Sequence, residues 1–349
     1  MNFIGMDIHK KATVAVVKDE QGNLIKEAKF ENSKENFQEF LNQFPKEQTK
    51  IVMESTCVWE YIFDLIDEFG YSVKLSNPVK TKAIACARIK TDSVDANTLC
   101  DLLRANLIAE SYIPTKEVRK LREIVRERKT FVQQTVQLKN KIQSLLIKRG
   151  IKLPTITLCK EAIRFLLETF DSSDIIIHYV NLLNNHEEEL EIMEEKIKDL
   201  ARAYDEAVLL MTIPGVAEIR ALEIYSEIGE IKRFESSGKL CSYAGLVPSV
   251  RQSGESLKFG RLVQQSSKIL KHALVEASWN IVRSKQPNEL QIFFKRLSKK
   301  KGKQKAICAV ARKTCSIIHS MLRKNQKYEA FYDPMINRKG DSRVSAIVP

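Results

Sequence analysis

The order of apolar segments in the first 110 residues restricts this chain to a small group of mixed α/β folds. Short apolar runs bounded by turn residues predict β-strands. These strands lie at 3–7, 13–17, 24–30, 51–53 and 71–75. Apolar residues at three-four spacing predict helices at 37–44, 58–69, from 78 onward and 93–108. Ser33 is placed to cap the first helix and Gly70 to end the second. The resulting order is β-β-β-α-β-α-β-α, where the last α stands for both helices after residue 78.

Four acidic residues stand at the ends of these predicted elements. Asp7 ends the first strand inside an otherwise apolar segment, where an unpaired charge is unfavourable. Glu54 ends the fourth strand, while Asp92 and Asp95, three residues apart at a helix start, share one face. In an RNase H-like α/β domain, which has this element order, the first strand, the end of the fourth and a late helix converge. We therefore expect such a domain over residues 1–114, with all four carboxylates at one edge of its sheet.

Carboxylates grouped in this way suit a divalent metal ion. Mg²⁺ prefers oxygen ligands, with Mn²⁺ as the alternative, and a metal pair assists both the attacking and the leaving oxygen in phosphoryl transfer. Simpler interpretations exist for two of the acids: Asp92 could cap a helix, and Glu54 could pair with Lys10 or Arg88. A single fold explains all four placements, which favours the metal site.

Two long apolar seams follow the first domain. Residues 116–148 and 183–204 repeat apolar positions at three-four spacing, which predicts two helices paired antiparallel as a connector over 115–208. The first helix is basic and the second is rich in glutamate, so their charges could simply complement each other. The alternative is nucleic-acid contact by the cations of the first helix, Arg119, Lys120, Arg122 and Arg126.

Beyond residue 209 the sequence predicts a mostly helical second domain that reaches residue 333, followed by a loose tail over 334–349. The turn around Gly215 resembles a helix-hairpin-helix turn, in which backbone N–H groups hold a DNA phosphate, although Pro-Gly is also an ordinary turn. A dense cation run is the better electrostatic candidate for binding nucleic acid. Its residues include Lys299, Lys300, Lys301 and Lys303.

The overall charge supports a phosphate-bearing partner. The chain contains 57 Lys and Arg against 44 Asp and Glu, a formal net charge of +13. Its seven cysteines form no CxxC pair, no signal peptide is recognisable at residues 1–11, and no apolar run approaches the roughly 18 residues that span a bilayer. We expect a cytoplasmic, nucleoid-associated protein with no membrane partner.

Several segments in both halves resemble the Asp-Glu-Asp-Asp (DEDD) transposases of bacterial insertion sequences. In the first half these are Gly-Met-Asp-Ile-His-Lys at 5–10, Met-Glu-Ser-Thr at 53–56 and Lys-Thr-Asp-Ser-Val-Asp-Ala at 90–96. In the second half they lie at 213–216, 228–230, 234, 243–248, 252–254 and 306–313. The resemblance runs in order through nearly the whole chain. It departs from the family pattern at Ser266, where a Gly is common, and at Lys271, near a common Arg.

The resemblance implies a RuvC-like N-terminal domain whose acids act with a serine of the C-terminal domain. Ser253 matches that nucleophile, and the competing serines are Ser249, Ser256, Ser266 and Ser267. It further implies a dimer or tetramer with shared active sites, and a structured noncoding RNA that selects donor and target double-stranded DNA. Two alternatives stay open: a RuvC-like junction nuclease that uses water, and a noncatalytic DNA-binding protein.

Overall fold

The computed structural model describes residues 1–85, 91–154, 158–253, 256–285 and 287–328. The chain divides into two compact units, one spanning Met1–Ile113 and the other beginning at Pro114. The first is a mixed α/β unit and the second is mostly helical, as the sequence predicts. The predicted tail at 334–349 lies outside the described residues.

The first unit is built on a five-stranded sheet. Its strands are β1 (Asn2–Ile8), β2 (Ala12–Lys18), β3 (Leu24–Glu31), β4 (Thr49–Glu54) and β5 (Ser72–Ser76). Their order across the sheet is β3-β2-β1-β4-β5. β1 pairs antiparallel with β2 and parallel with β4, while β2–β3 is antiparallel and β4–β5 is parallel. All five predicted strands are therefore confirmed.

Helices cover both faces of this sheet. They are α1 (Lys34–Leu41), α2 (Trp59–Glu68), α3 (Pro78–Ile84) and α4 (Asp92–Arg104). Alternate residues of β1, such as Ile4 and Met6, pack with α1 and α2, whereas Phe3 packs with α4 on the opposite face. Because both faces are buried, β1 reads as an almost continuous apolar segment. The predicted cap is confirmed, since the Ser33 side chain accepts a hydrogen bond from the Asn36 N–H.

The second unit begins with two long antiparallel helices. These are α5 (Lys116–Lys148) and α7 (Ile175–Ala203), with α6 (Lys160–Thr169) between them. The Arg128 guanidinium lies 2.6 Å from the Glu194 carboxylate, and the Lys139 ammonium lies 2.7 Å from that of Glu187. The predicted antiparallel pairing and its charge complementarity are confirmed, whereas α6 is an additional element.

The rest of the second unit is helical apart from one hairpin. Its helices are α8 (Asp205–Met211), α9 (Glu218–Ile228), α10 (Ser237–Tyr243), α11 (Lys268–Arg283), α12 (Glu289–Lys301) and α13 (Lys303–Lys324). One apolar cluster joins these helices with parts of α5 and α7. The division at residue 208 into a connector and a C-terminal domain stays a prediction. Within the described residues, no helix is long and apolar enough to cross a membrane.

The hairpin lies in a Gly/Ser-rich stretch of a domain that the sequence predicts to be mostly helical. Its strands are β6 (Pro248–Ser253) and β7 (Ser256–Leu262), and they are antiparallel with Val250 opposite Phe259. Serine, glycine and charged residues between the few apolar positions hide the period-two pattern that usually indicates a strand. Cross-strand pairing, rather than burial of one face, defines this element.

Candidate active site

Asp7 lies near the end of β1 with its side chain only 8% exposed. Residues on either side of it belong to the apolar core, so the carboxylate is held in a poorly hydrated position. Its Oδ2 atom lies 3.2 Å from His9 Nε2. The end of the strand therefore presents a buried acid with a histidine beside it.

Asp92 opens α4 and faces the same histidine. The helix is capped by Thr91, whose hydroxyl oxygen accepts a hydrogen bond from the Val94 N–H at 3.2 Å. The interpretation of Asp92 as the helix cap is therefore wrong. Its Oδ1 atom lies 3.2 Å from His9 Nε2, and its other oxygen lies 3.9 Å from the Lys29 ammonium. The carboxylate is thus free of a capping role and points towards Asp7 and His9.

Three ligand atoms, one each from Asp7, His9 and Asp92, all lie within 4.8 Å of one another. Sequence reasoning missed His9 as a site residue. The only local signal in the sequence was that His9, a residue type able to bind metals, follows Asp7 by two positions and lies just after the end of β1.

Glu54 and Asp95 lie close enough to influence Asp7. β4 runs parallel to β1 with Met53 opposite Met6, which brings Glu54 to the same edge of the sheet, and Asp95 is in the first turn of α4. Burial raises the pKa of the Asp7 carboxyl above its ordinary value, while His9 lowers it. Repulsion from three carboxylates raises that pKa further: Asp95, Asp92 and Glu54. The structure therefore brings the four predicted acids into one electrostatic group.

This group has the donor chemistry of a divalent-cation site. Crowded carboxylates, one of them buried, disfavour each other's ionised form, and a bound cation relieves that repulsion. The alternative in which Glu54 pairs with Lys10 is not seen among the described residues, and Arg88 lies outside them. A cleft lined in part by Val14, Lys29 and Asp92 opens beside the group. The residues present fit a divalent metal ion.

Ser253 is the last residue of β6 and stands opposite Ser256 in the hairpin register. Gly254, which follows it, lies outside the described residues. Val250 and Phe259 are 56% and 50% exposed, although they are apolar and face each other across the two strands. Ser253 therefore ends a strand of a largely exposed hairpin.

One of the competing serines has a structural role. The Ser267 hydroxyl oxygen accepts a hydrogen bond from the Leu270 N–H at the start of α11 and donates one to the Glu227 carboxylate at 3.1 Å. The Ser267 hydroxyl therefore links α9 to α11.

Two of the basic residues predicted on α5 contact α9. Arg122 donates hydrogen bonds to the backbone carbonyls of Ser226 and Glu227 at 2.7 and 2.9 Å, and Arg126 donates to the Glu227 carboxylate at 2.9 Å. Arg119 is buried, whereas Lys120 is exposed. Arg119 and Arg122 therefore lie within the helical packing, Arg126 pairs with Glu227 while staying about half exposed, and nucleic-acid contact by these four cations stays a prediction.

The other predicted nucleic-acid contacts are exposed. Gly215 adopts a φ of +82°, and a Cβ there would lie 2.8 Å from the Asn280 backbone, so glycine is required for close packing on α11. The cation run surrounds the junction of α12 and α13 at Gly302. Its exposed members are Lys299, Lys300, Lys301 and Lys303.

Comparisons with known proteins cover both units. A family model of the DEDD transposases of the IS110 type matches residues 4–148, and a model described as the transposase IS116/IS110/IS902 family matches residues 207–293. The transposase for insertion sequence element IS1111A from Coxiella burnetii is 23% identical over 80% of this chain and 79% of its own length. The transposase for IS1328 from Yersinia enterocolitica is 22% identical over 80% of this chain and 83% of its own.

A third relative extends over almost the full sequence. The pilin gene-inverting protein of Moraxella bovis is 25% identical over 94% of this chain and 97% of its own length. Because transposase models match both halves in order and relatives named as transposases span most of its length, the chain belongs to the IS116/IS110/IS902 family of transposases, enzymes that act on DNA.

Proposed function

We propose that this protein moves DNA segments by cutting and rejoining strands at a divalent-metal centre formed by Asp7, Glu54, Asp92 and Asp95. The observation that carries the proposal is the grouping of these acids around a buried Asp7 whose pKa is raised. The strands lie in the order β3-β2-β1-β4-β5; β2 is antiparallel to β1 and to β3, whereas β4 and β5 are parallel to β1. This topology supports an RNase H-like, RuvC-like fold for this unit. Mg²⁺ is the proposed ion and Mn²⁺ the alternative.

The protein residues provide position and charge for this chemistry. The four carboxylates would hold the cation, and the sheet edge and the first turn of α4 fix their spacing. A bound divalent ion would polarise the scissile phosphate and neutralise charge on the reacting oxygens. Exclusion of bulk water around the buried Asp7 would strengthen these interactions.

We further propose Ser253 as the nucleophile. Its hydroxyl oxygen would attack the scissile phosphorus and lose its proton, while the bond from phosphorus to the departing DNA oxygen breaks and that oxygen takes up a proton. The new serine–DNA phosphodiester conserves the bond energy. A DNA hydroxyl then reverses the step and releases the serine, so rejoining needs no external energy source.

The hairpin that carries Ser253 has a surface suited to DNA. Val250 and Phe259 are exposed apolar side chains on a two-stranded element that is marginally stable alone. The neighbouring cations Lys258 and Arg261 are also exposed. Apolar or aromatic contact combined with phosphate neutralisation is typical of nucleic-acid binding. These features support placement of the hairpin against the DNA substrate.

The proposed partners are donor and target double-stranded DNA, a structured noncoding guide RNA, and further copies of the chain in a dimer or tetramer. The net charge of +13 supports binding of both nucleic acids. One relative is named for inverting a pilin gene, which supports a recombination reaction. Co-purification of a discrete RNA encoded by the element would support guidance, whereas recombination of naked DNA without any RNA would contradict it.

The decisive experiment is detection of the serine–DNA link on denaturing gels. A suicide substrate, with the RNA supplied, should give a protein–DNA adduct that is lost in Ser253→Ala but persists in Ser249→Ala and Ser256→Ala. Recombination by Ser253→Ala should fall by several orders of magnitude, as for other deleted nucleophiles. Cleavage without an adduct, unchanged in Ser253→Ala, would instead favour the metal-dependent junction nuclease. Binding without any cleavage in Mg²⁺ or Mn²⁺ would favour a noncatalytic DNA-binding protein.

A further inference from the structure

We infer that His9 is a nitrogen ligand of the metal centre and shifts its preference from Mg²⁺ towards transition-metal ions such as Mn²⁺. The inference rests on the proposed metal site but adds a residue of a different chemical class to its four carboxylates. It arises from the position of one ring atom between two of the acids.

His9 Nε2 is equidistant from its two acidic neighbours. It lies 3.2 Å from Asp7 Oδ2 and 3.2 Å from Asp92 Oδ1. A single ring N–H cannot point at both oxygens with good hydrogen-bond geometry. Both distances are compatible with a nitrogen and an oxygen bound to one cation, because neighbouring ligands on bonds of about 2.1 Å lie about 3.0 Å apart.

The backbone of His9 is fixed where the chain turns from β1 to β2. Its N–H donates to the Ala12 carbonyl at 3.0 Å, and its own carbonyl accepts from the Asn32 side-chain amide at 2.8 Å. The Asn32 side chain is itself anchored, since its Oδ1 accepts from the Thr13 hydroxyl at 2.7 Å. The backbone of His9 is therefore anchored beside the acids, which limits the positions that its imidazole can take.

The solvent exposure of the His9 and Asp7 side chains also supports coordination by His9. The His9 side chain is 49% exposed, whereas that of Asp7 is 8% exposed. An ion entering from solvent would meet the imidazole and the half-exposed Asp92 before reaching the buried carboxylate. Because imidazole nitrogen suits transition-metal ions better than Mg²⁺, removing it should weaken Mn²⁺ binding more than Mg²⁺ binding.

Electron paramagnetic resonance of Mn²⁺ bound to the full-length protein tests this directly. Electron spin echo modulation from a directly coordinated ¹⁴N should be present in the wild-type protein and absent in His9→Gln. In titrations, His9→Gln should bind Mn²⁺ at least about tenfold more weakly. The same variant should change Mg²⁺ binding, measured by competition, by a smaller factor. His178→Ala removes an exposed imidazole of α7 and should leave both measurements unchanged.

Two results would overturn the assignment of His9: no ¹⁴N modulation in the wild-type protein, or equal Mn²⁺ and Mg²⁺ affinities in His9→Gln and wild type. Asp7→Asn separates this failure from failure of the underlying site. If Asp7→Asn abolishes Mn²⁺ binding while His9→Gln has no effect, the carboxylate centre stands without His9. If Asp7→Asn also binds Mn²⁺ normally, the proposed centre itself is wrong.

Discussion

Gly5 of β1 lies directly against Ala96 of α4, with no room for a side chain between them. A Cβ on Gly5 would overlap the Ala96 carbonyl oxygen and come within 2.5 Å of the Cys100 backbone nitrogen. The contact is reinforced by Cys100, whose thiol donates to the Phe3 carbonyl at 3.0 Å. Since α4 carries Asp92 in its first turn, the closeness of this packing sets the distance between Asp92 and Asp7.

Gly5→Ala should therefore damage both stability and the metal centre. Overpacking of this kind costs about 1–3 kcal/mol of unfolding free energy, and a displaced α4 would separate the ligands. Urea denaturation and Mn²⁺ titration would measure the two effects. Gly238→Ala is the matched control, because its new Cβ would approach no atom closer than 3.6 Å. Normal Mn²⁺ affinity in Gly5→Ala would contradict the coupling between helix packing and ligand spacing.

Asp7→Asn should raise the thermal stability of the metal-free protein at pH 7. Because the folded-state pKa of Asp7 is raised, protonation favours folding; this contribution is full below the ordinary pKa of 3.8 and is lost as pH rises through the folded-state value. The gain in Tm over wild type should therefore shrink as pH falls towards 3.8. A change of about 1 kcal/mol corresponds to roughly 4–8 °C in a unit of this size.

Binding of a divalent metal ion should make the wild-type protein more stable than Asp7→Asn. Mn²⁺ or Mg²⁺ should raise the Tm of the wild-type protein by mass action and leave that of Asp7→Asn nearly unchanged. Scanning calorimetry at several pH values, with and without metal, would measure both trends. A lower Tm for metal-free Asp7→Asn at pH 7 would show that burial of this carboxylate and repulsion from its neighbours are not a dominant cost.

Arg126→Gln should destabilise the second unit. The Glu227 side chain is 1% exposed, and its ion pair with Arg126 stabilises the charge together with the Ser267 hydroxyl. Removing one side of a buried pair costs about 3–5 kcal/mol, but Arg126 is 47% exposed, so we expect about 1–3 kcal/mol. Lys120→Gln, at an exposed position on the same helix, should change unfolding by less than about 0.5 kcal/mol. Equal changes in unfolding free energy for Arg126→Gln and Lys120→Gln would contradict a structural role for Arg126.

Neutralising the cation run at the α12–α13 junction should weaken DNA binding without altering the fold. The variant replaces Lys299, Lys300, Lys301 and Lys303, all exposed, by glutamine. The slope of log affinity against log salt should decrease by about 0.9 for each lysine that contacts a phosphate. Lys196→Gln on the glutamate-rich α7 provides the control for loss of charge alone. An unchanged slope would show that these four lysines do not contact DNA phosphates.

The sequence by itself determined the elements of the first unit and the candidate acids. Short apolar runs bounded by turn residues, helical spacing and capping residues are all visible within a few positions of the chain, so β1 to β5 and the Ser33 cap were predictable. The antiparallel pairing of α5 and α7 was predictable because each carries a continuous apolar seam and their charges are complementary. Placement of the acids followed from the predicted order of elements.

Only the tertiary structure decided what the individual polar groups contact. His9 meets Asp92 through folding of the sheet against α4, and Arg122 meets the end of α9 through packing of helices distant in sequence. Neither contact leaves a periodic signal. The β6–β7 hairpin was hidden for a related reason, since its strands are defined by pairing with each other rather than by burial of an apolar face. Long-range contacts depend on close packing of whole surfaces, which short sequence patterns do not encode.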